Sequence, residues 1–278
     1  LYMWGYNKYG ELGDGTNTDS YVPKKIMDDV VYVCLDGDKT AAITENGDLY
    51  IWGSNNFGEI GDGTYTSKNT PQKRMEKVIN VNMKGYCVMA ITQDGDLYMW
   101  GYNRQGQIIN NPNYESELIP VKVMEKVIDA AIYTNASAAI TEDGSLYRWG
   151  VGYSDKTKIM DNTVKVSIGT ASAAITKEGS LYMWGTNSSG ELGDGNTQSR
   201  SNPIKVIEKV AAMSQDCSTT AVITEEGSLY IWGSNYGGII GDGTIQNKNT
   251  PTKIMDNVAV IRVGSAAITK DGELYMWG

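Results

Sequence analysis

The chain opens with Leu1-Tyr2-Met3-Trp4-Gly5 and closes with the same five residues at Leu274-Tyr275-Met276-Trp277-Gly278. The pattern Leu-Tyr-x-Trp-Gly recurs between these ends and holds all seven tryptophans of the 278-residue chain. Successive tryptophans are separated by 48, 48, 49, 35, 48 and 45 residues. A period of this length is typical of solenoids and propellers, in which each repeat buries its apolar face against its neighbours.

Each repeat contains four apolar pieces that are too short for helices and rich in β-branched and aromatic residues, which favours strands. We name them strand A (Val30-Val31-Tyr32-Val33), strand B (Ala41-Ala42-Ile43-Thr44), strand C (Leu-Tyr-x-Trp-Gly) and strand D (Pro23-Lys24-Lys25-Ile26-Met27). Strand C is apolar at consecutive positions, which predicts burial on both of its faces. Proline and lysine in strand D predict the edge of a sheet, because proline cannot donate to a ladder.

The link between strands B and C contains a glycine in every repeat. The first link is Asn46-Gly47, a pair that predicts a two-residue hairpin turn with both residues at positive φ. The equivalent pairs are Asp94-Gly95, Asp143-Gly144, Glu178-Gly179, Glu226-Gly227 and Asp271-Gly272. Six hairpins in register predict an all-β, single-domain β-propeller over residues 1–278, built of four-stranded antiparallel blades with a repeat of about 48 residues.

The strand count bears on the number of blades. There are seven C strands and six each of A, B and D, so either six or seven blades fit the sequence. We predict seven, with the first blade lacking strands A and B and the last lacking strand D, in a chain that is part of a longer one. The fourth repeat is irregular, since Val151-Gly152-Tyr153-Ser154 leads almost directly into Lys158 of strand D.

Composition narrows the class of function. The 33 acidic and 24 basic residues give a net charge of −9, which opposes nucleic-acid binding and favours a basic or neutral partner. The chain has no histidine, the residue most often used as a general base and metal ligand. Cys34, Cys87 and Cys217 have no metal-site spacing and are expected to be small buried or half-buried thiols. No apolar run reaches the length of a membrane span.

Acidic loops after strand C invite comparison with calcium sites. Asp14-Gly15-Thr16 and Asp62-Gly63-Thr64 carry oxygen ligands, but they lack a bidentate carboxylate at the spacing of a calcium loop. Glycine at positive φ and aspartate bonded to its own backbone explain these residues as turns. We therefore predict neither a metal nor a cofactor.

The repeat consensus resembles a known family. The order Trp-Gly-x-Asn-x-x-Gly-x-Leu-Gly, Thr-Pro, Val-x-x-Val and Ser-Ala-Ala-Ile-Thr-x-Asp-Gly-x-Leu-Tyr-x-Trp-Gly resembles the regulator of chromosome condensation repeat along the whole chain. The resemblance implies a β-propeller, usually of seven blades. The founding member is a nucleotide-exchange factor for a small GTPase and binds chromatin, while relatives serve as protein-interaction modules and one bacterial relative inhibits β-lactamases.

Two departures weaken a transfer of chromatin binding or exchange activity. The family's histidine before strand B is absent, and the matching positions are Lys39, Cys87, Ala136, Ala171, Thr219 and Gly264. The Gly-Asp-Gly-Thr loops and the acidic charge are similar to those of bacterial extracellular members, so the resemblance suggests a secreted or cell-surface protein.

In an A-B-C-D meander the A–B and C–D loops lie on one face, and these loops vary most between repeats. Variable loops on a rigid scaffold commonly carry binding, and Tyr and Phe are favoured anchors. We predict a non-catalytic scaffold that binds a protein or a surface glycan through this face. The candidate residues are Tyr9, Asp36, Asp38, Lys39, Phe57, Lys84, Tyr86, Tyr133, Asn135, Gln215, Asp216 and Tyr236.

Two alternatives remain at this point. The chain is either such a scaffold or a purely structural repeat region of a larger surface protein. A carboxylate-based hydrolase or a GTPase exchange factor ranks behind both, because nothing distinguishes one carboxylate pair among the 33 acidic residues.

Overall fold

A computed structural model describes residues 1–109, 115–216, 218–262 and 266–278. Within these ranges the chain forms 25 strands in seven sheets, and the one helical segment is a single 3-10 turn at Tyr236–Gly238. The chain divides into two compact units, Leu1–Lys158 and Ile159–Gly278. The predicted dominance of strands is confirmed.

The first unit contains one two-stranded and three four-stranded sheets, all antiparallel meanders. The two-stranded sheet pairs β1 (Tyr2–Gly5) with β2 (Ser20–Lys25). The next sheet contains β3 (Val30–Asp36), β4 (Lys39–Thr44), β5 (Leu49–Gly53) and β6 (Lys68–Met75). The third contains β7 (Val78–Lys84), β8 (Cys87–Thr92), β9 (Leu97–Tyr102) and β10 (Ser116–Met124). The fourth contains β11 (Val127–Tyr133), β12 (Ala136–Thr141), β13 (Leu146–Gly150) and β14 (Tyr153–Met160).

The second unit contains two four-stranded sheets and one of three strands. The first contains β15 (Thr163–Ser167), β16 (Ala171–Thr176), β17 (Leu181–Gly185) and β18 (Arg200–Ile207). The second contains β19 (Val210–Gln215), β20 (Thr219–Thr224), β21 (Leu229–Gly233) and β22 (Lys248–Met255). The third contains β23 (Val258–Arg262), β24 (Ala266–Thr269) and β25 (Leu274–Met276). The predicted strand order A-B-C-D is confirmed, as are the missing A and B strands of the first blade and the missing D strand of the last.

Strand C forms the core of each complete sheet, as its apolar sequence predicts. Trp52, Trp100 and Trp232 are fully buried, and Trp149 and Trp184 nearly so. In the second sheet Ala41, Ala42 and Ile43 of strand B pair with strand C at Ile51, Tyr50 and Leu49 respectively. Small alanines on strand B leave room for the large side chains of neighbouring strands, which gives a dense interior. Trp4, in the two-stranded sheet, is 60% exposed.

A hydrogen bond from the indole of five tryptophans ties strand C to the loop of the preceding repeat. The indole Nε1 of Trp100 donates to the backbone carbonyl of Glu59 at 2.8 Å. Trp52, Trp149, Trp232 and Trp277 make the equivalent bond to Glu11, Gln107, Glu191 and Ile239. The loop lies so close to the ring that a Cβ on Gly61 would stand 2.8 Å from Nε1 of Trp100. Glycine is therefore required where the loop crosses the indole.

Trp184 departs from this pattern. Among the described residues its buried Nε1 has no hydrogen-bond partner, and neither has the buried Oγ of Ser172, its cross-strand neighbour. At the matching pair, the Thr40 hydroxyl and the Trp52 indole share the Glu11 carbonyl. Only two residues, Val151 and Gly152, connect β13 to β14.

The turn between strands B and C differs from the predicted two-residue turn. Asn46 does not adopt positive φ, whereas Gly47 does at 79°. The N–H of Gly47 donates to the Thr44 carbonyl and that of Thr44 to the Asp48 carbonyl, so the loop contains four residues, 45–48. One left-handed residue is sufficient in such a loop, and glycine adopts this conformation without strain.

The left-handed non-glycine residues lie instead in the links between strand D and the next strand A. They are Asp29, Lys77, Lys126, Asn162, Lys209 and Asn257, with φ of 56–64°. The carbonyl of each accepts the N–H of the residue that follows strand B, as Lys77 does from Gln93 at 2.7 Å. This bond fixes each link although the conformation is unfavourable for a side chain.

Cys34 and Cys87 are free thiols, the first half-buried and the second buried. Burial raises the pKa of the Cys87 thiol to about 12. Cys217 and Gly264 lie outside the described residues. No helix in the described ranges is long and apolar enough to cross a membrane.

Candidate functional site

Each long C–D loop is built around a buried asparagine. The Oδ1 of Asn55 accepts the N–H of Ile60, and its amide donates to the carbonyls of Thr64 and Thr66. The Glu59 carboxylate accepts the N–H of Phe57 at 2.7 Å and closes the tip of the loop. Asn7, Asn103, Asn187 and Asn235 occupy the same place and are equally buried. Because these bonds hold the backbone, side chains at the tip are presented from a fixed frame.

The aspartates of the Gly-Asp-Gly-Thr loops are bonded to the loop and to a cation on strand D. In the second repeat the Oδ1 of Asp62 accepts the N–H and the hydroxyl of Thr64, and its Oδ2 pairs with Lys68 at 2.9 Å. Burial raises the pKa of Asp62, but these bonds outweigh it and hold the pKa below its usual value. Lys24, Arg200 and Lys248 take the role of Lys68 in other repeats. One carboxylate oxygen of each aspartate therefore stabilises a turn, and the other pairs with the ammonium or guanidinium group of a lysine or arginine side chain.

A buried ion cluster lies where the A–B loop meets the C–D loop of the second repeat. Nζ of Lys39 lies 3.2 Å from Asp38, 3.6 Å from Glu59 and 3.9 Å from Asp36. The side chains of Lys39 and Glu59 are 3% and 0% exposed. Burial raises the pKa of Glu59, against hydrogen bonds from the backbone of Phe57 and Glu59 and the charge of Lys39. Burial likewise raises the pKa of Asp36, against the charges of Lys39 and Lys84.

An aromatic cluster adjoins this ion cluster. The ring centroids of Phe57 and Tyr86 are 4.4 Å apart, and Tyr102 stands edge-on to Phe57 at 5.2 Å. Phe57 comes from the C–D loop of one repeat, and Tyr86 and Tyr102 come from the A–B loop and the end of strand C (β9) of the next. Nζ of Lys39 lies 5.4 Å from the Tyr86 ring centroid, so the aromatic and ionic clusters are in contact.

Two concavities in the first unit meet at Tyr86. The acidic groove, with a volume of about 590 Å³, is lined by Tyr6, Lys8, Tyr9, Glu11, Tyr86 and residues 36–39. The aromatic groove, with a volume of about 640 Å³, is lined by Phe57, Tyr86, Tyr102, Arg104, Glu115 and Asn135 among others. Both volumes lie in the range of ligand-binding pockets.

The structure brings most of the candidate residues of the first unit together. Seven of them line the two grooves, namely Tyr9, Asp36, Asp38, Lys39, Phe57, Tyr86 and Asn135. Lys84 is exposed at the end of β7 and acts on the charge of Asp36. Tyr133 is half-buried at the end of β11, two residues from Asn135.

The three candidates in the second unit do not form such a site. The amide of Gln215 donates to the carbonyl of Ala171 at 3.3 Å, and Asp216 accepts the N–H groups of Ser218 and Thr219 in a turn. Tyr236 is 91% exposed. It follows Asn235 directly, whereas Tyr9 and Phe57 stand two residues after their asparagines, so Tyr236 occupies a different place in the loop.

Several groove residues escaped the sequence prediction. Tyr102 and Tyr6 both follow the Gly of strand C, a position at which Ser or Thr stands in three other repeats. A tyrosine in place of Ser or Thr at this position of the repeat is the sequence feature that could have identified Tyr6 and Tyr102. The role of Glu59 has no such signal, because Glu11 and Glu191 share its motif and only Glu59 pairs with a buried lysine.

Comparison with family models matches this chain to the regulator of chromosome condensation (RCC1) repeat. One RCC1 repeat model matches residues 1–43, 178–219 and 226–267, and a second matches residues 40–59 and 78–107. The probable E3 ubiquitin-protein ligases HERC4 of human, rat and mouse are 39% identical over 51 residues. That match covers 17% of this chain and 5% of each ligase.

Solved structures of three proteins or complexes share the fold. Prp20p of Saccharomyces cerevisiae, described with its binding to Gsp1p and histones, superposes with a TM-score of 0.80 at 19% identity, covering 100% of this chain and 80% of Prp20p. Yeast RCC1 (Prp20) bound to Kap60 gives 0.78 at 20% identity over 100% and 78% of the two chains. Human WBSCR16 gives 0.76 at 20% identity over 94% and 77%. The chain therefore carries RCC1 repeats and has the β-propeller fold.

Proposed function

We propose that this RCC1-repeat β-propeller is a non-catalytic scaffold that binds a protein partner through the loop surface of its first unit. The observation that carries the proposal is the aromatic cluster of Phe57, Tyr86 and Tyr102. Tyr86 is 47% exposed, and all three rings line the aromatic groove. Clustered aromatic side chains in a concavity are the usual anchors of protein interfaces.

The packing of the loops supports this choice of surface. Phe57 lies in a loop whose backbone is fixed by the buried Asn55, and the backbone N–H of Tyr102 donates to the Tyr86 carbonyl at 2.9 Å. A partner that binds here orders few side chains, which lowers the entropic cost of association. The relatives in this fold class offer precedent, since Prp20p is described with the partners Gsp1p and histones.

The non-catalytic part of the proposal rests on the chemistry of the groove. The chain has no histidine to serve as a general base. Asp36, Asp38 and Glu59 surround one lysine, so the best-formed carboxylate cluster is committed to an ion pair.

The test begins with affinity capture from extracts and medium of the source organism, followed by mass spectrometry. Purified candidates are then titrated against the wild type, Phe57→Ala and Tyr86→Ala. We expect each substitution to weaken binding more than tenfold. Tyr236→Ala is the matched control, because that ring is exposed in the second unit. Binding that survives both first-unit substitutions and is lost in Tyr236→Ala would refute the assignment.

A further inference from the structure

The acidic groove holds more negative charge than its own cations neutralise. Among the described residues, Lys39 is the one cation within 4 Å of Asp36, Asp38 and Glu59. With Lys8 on the rim and Lys84 near Asp36, three lysines face the four carboxylates of Glu11, Asp36, Asp38 and Glu59, so one negative charge is uncompensated. The side chains of Lys39 and Glu59 are buried and shielded from solvent. Asp36 and Asp38 are 21% and 34% exposed, and they present the excess charge to the groove.

Tyrosine rings flank these carboxylates, and both already lie near a cation. Nζ of Lys8 is 5.3 Å from the centroid of the Tyr9 ring, and Nζ of Lys39 is 5.4 Å from that of Tyr86. These distances are within the range of cation–π attraction, which adds to the attraction of a nearby carboxylate. The groove thus combines two features that recognise an organic cation.

We propose that the acidic groove is the docking site for a lysine or arginine side chain carried on an extended segment of the protein partner. The inference rests on the proposed function and specifies the chemistry of the partner. Charge complementarity selects this occupant, because Glu11, Asp36 and Asp38 all line the groove and the whole chain carries a net charge of −9. An acidic segment meets these carboxylates at close range and is repelled.

Two lysines stand at the same groove and oppose a basic partner. Lys8 is exposed on the rim, and Lys84 is exposed at the end of β7 near Asp36. Neither forms the buried pair with Glu59 that Lys39 forms. Removing Lys8 therefore increases the negative potential of the groove without disturbing the buried cluster, and the sign of its effect on binding reports the charge of the partner.

The first experiment uses fluorescein-labelled nona-arginine and nona-glutamate peptides with the intact chain, followed by fluorescence anisotropy near physiological salt. Asp36→Asn/Asp38→Asn removes two charges from the groove and leaves the Lys39–Glu59 pair intact. Glu45→Gln/Asp94→Asn is the matched control, because it removes two charges from exposed turns between strands B and C. Thermal melts followed by circular dichroism verify that each variant is folded.

We expect nona-arginine to bind the wild type, to lose at least tenfold in affinity with Asp36→Asn/Asp38→Asn, and to change less than twofold with the control pair. Lys8→Ala should strengthen binding two- to threefold. Equal losses in the two double variants, binding of nona-glutamate instead, or weaker binding after Lys8→Ala would each overturn the proposal.

The same variants separate this inference from the proposed function once a partner is captured. Partner binding that falls with Phe57→Ala but is unchanged in Asp36→Asn/Asp38→Asn would retain the scaffold and refute the cation site. Partner binding that is unchanged in all these variants would refute the binding surface itself.

Discussion

The unpartnered indole of Trp184 predicts that two chemically identical substitutions differ in their effect on stability. Trp184 and Trp232 lie in the same unit and are 2% and 0% exposed. Nε1 of Trp232 donates to the Glu191 carbonyl at 2.9 Å, whereas that of Trp184 has no partner in the part of the chain that the structure describes. Replacement by phenylalanine removes a similar apolar volume at both sites, so the loss of hydrophobic burial is similar. The difference in stability between the two variants therefore depends on the hydrogen bond of the indole.

The magnitudes follow from transfer and hydrogen-bond energies. Loss of part of the indole costs roughly 2 kcal/mol at either site, at about 0.8 kcal/mol for each buried carbon group. Trp232→Phe also breaks a buried hydrogen bond and leaves the Glu191 carbonyl with only a long contact from Thr220, at a cost of about 1–3 kcal/mol. Trp184→Phe instead removes an unsatisfied buried donor, and this offsets the loss of burial by about 1–3 kcal/mol. We expect Trp232→Phe to be more destabilising by at least about 2 kcal/mol.

The assay is urea unfolding of the two variants and the wild type, followed by far-ultraviolet circular dichroism. Equal slopes of the unfolding transition show that the exposed surface is unchanged, so that midpoints report stability. Losses that agree within about 0.5 kcal/mol would refute the reasoning, because a missing donor would then have no energetic consequence.

Three further predictions concern the first unit and the aspartate loops. Lys39→Cys should cost about 3–5 kcal/mol by stranding Glu59, and adding Glu59→Gln should restore most of it, as a double-mutant cycle in urea would measure. Lys77→Gly should stabilise the fold by about 0.5–1 kcal/mol, because Lys77 has a φ of 56° that glycine adopts without strain. Lys73→Gly in strand β6 should instead destabilise the fold, and urea unfolding of both variants measures the difference. Hydrogen bonding from Lys248 lowers the pKa of Asp242 to about 2, so its stabilisation is complete above about pH 4 and is lost toward pH 2. Asp242→Asn should therefore reduce the urea midpoint at pH 7 and flatten its fall between pH 4 and 2.

Most of the fold follows from local patterns that the repeat multiplies. Strand C is apolar at consecutive positions, and strand D carries proline and lysine, so burial and edge position were predictable from sequence. The turn after strand B was predicted with the wrong geometry at Asn46, because Asn-Gly suits more than one tight turn and the difference depends on a bond from Thr44 to Asp48. The two-residue link after β13 was readable from the short repeat, whereas nothing in the sequence indicated that the buried Trp184 indole lacks a hydrogen-bond partner among the described residues.

Individual residues of the candidate site were predictable from the sequence, whereas the contacts between them were not. The aromatic residues at loop tips identify Phe57 and Tyr86, since variable loops stand out against a constant frame. The pairing of Lys39 with Glu59 depends on the directions of two side chains from different loops, which no spacing in the sequence encodes. Tyr102 was missed because it directly follows the strand motif and looks like part of it.

In each loop, different residues fix the backbone and form the exposed surface, so a regular repeat can present a different surface in each blade. In the C–D loop of the second repeat, Asn55 holds the backbone, Gly61 admits the next indole and the Glu59 carbonyl accepts its N–H. None of these bonds uses the side chain of Phe57 or the second oxygen of Glu59. Those groups are free to differ between repeats without altering the frame, as Gln105 and Gln107 do in the next repeat. Specific binding chemistry can therefore collect at Lys39, Phe57 and Tyr86 while the remaining repeats supply rigidity.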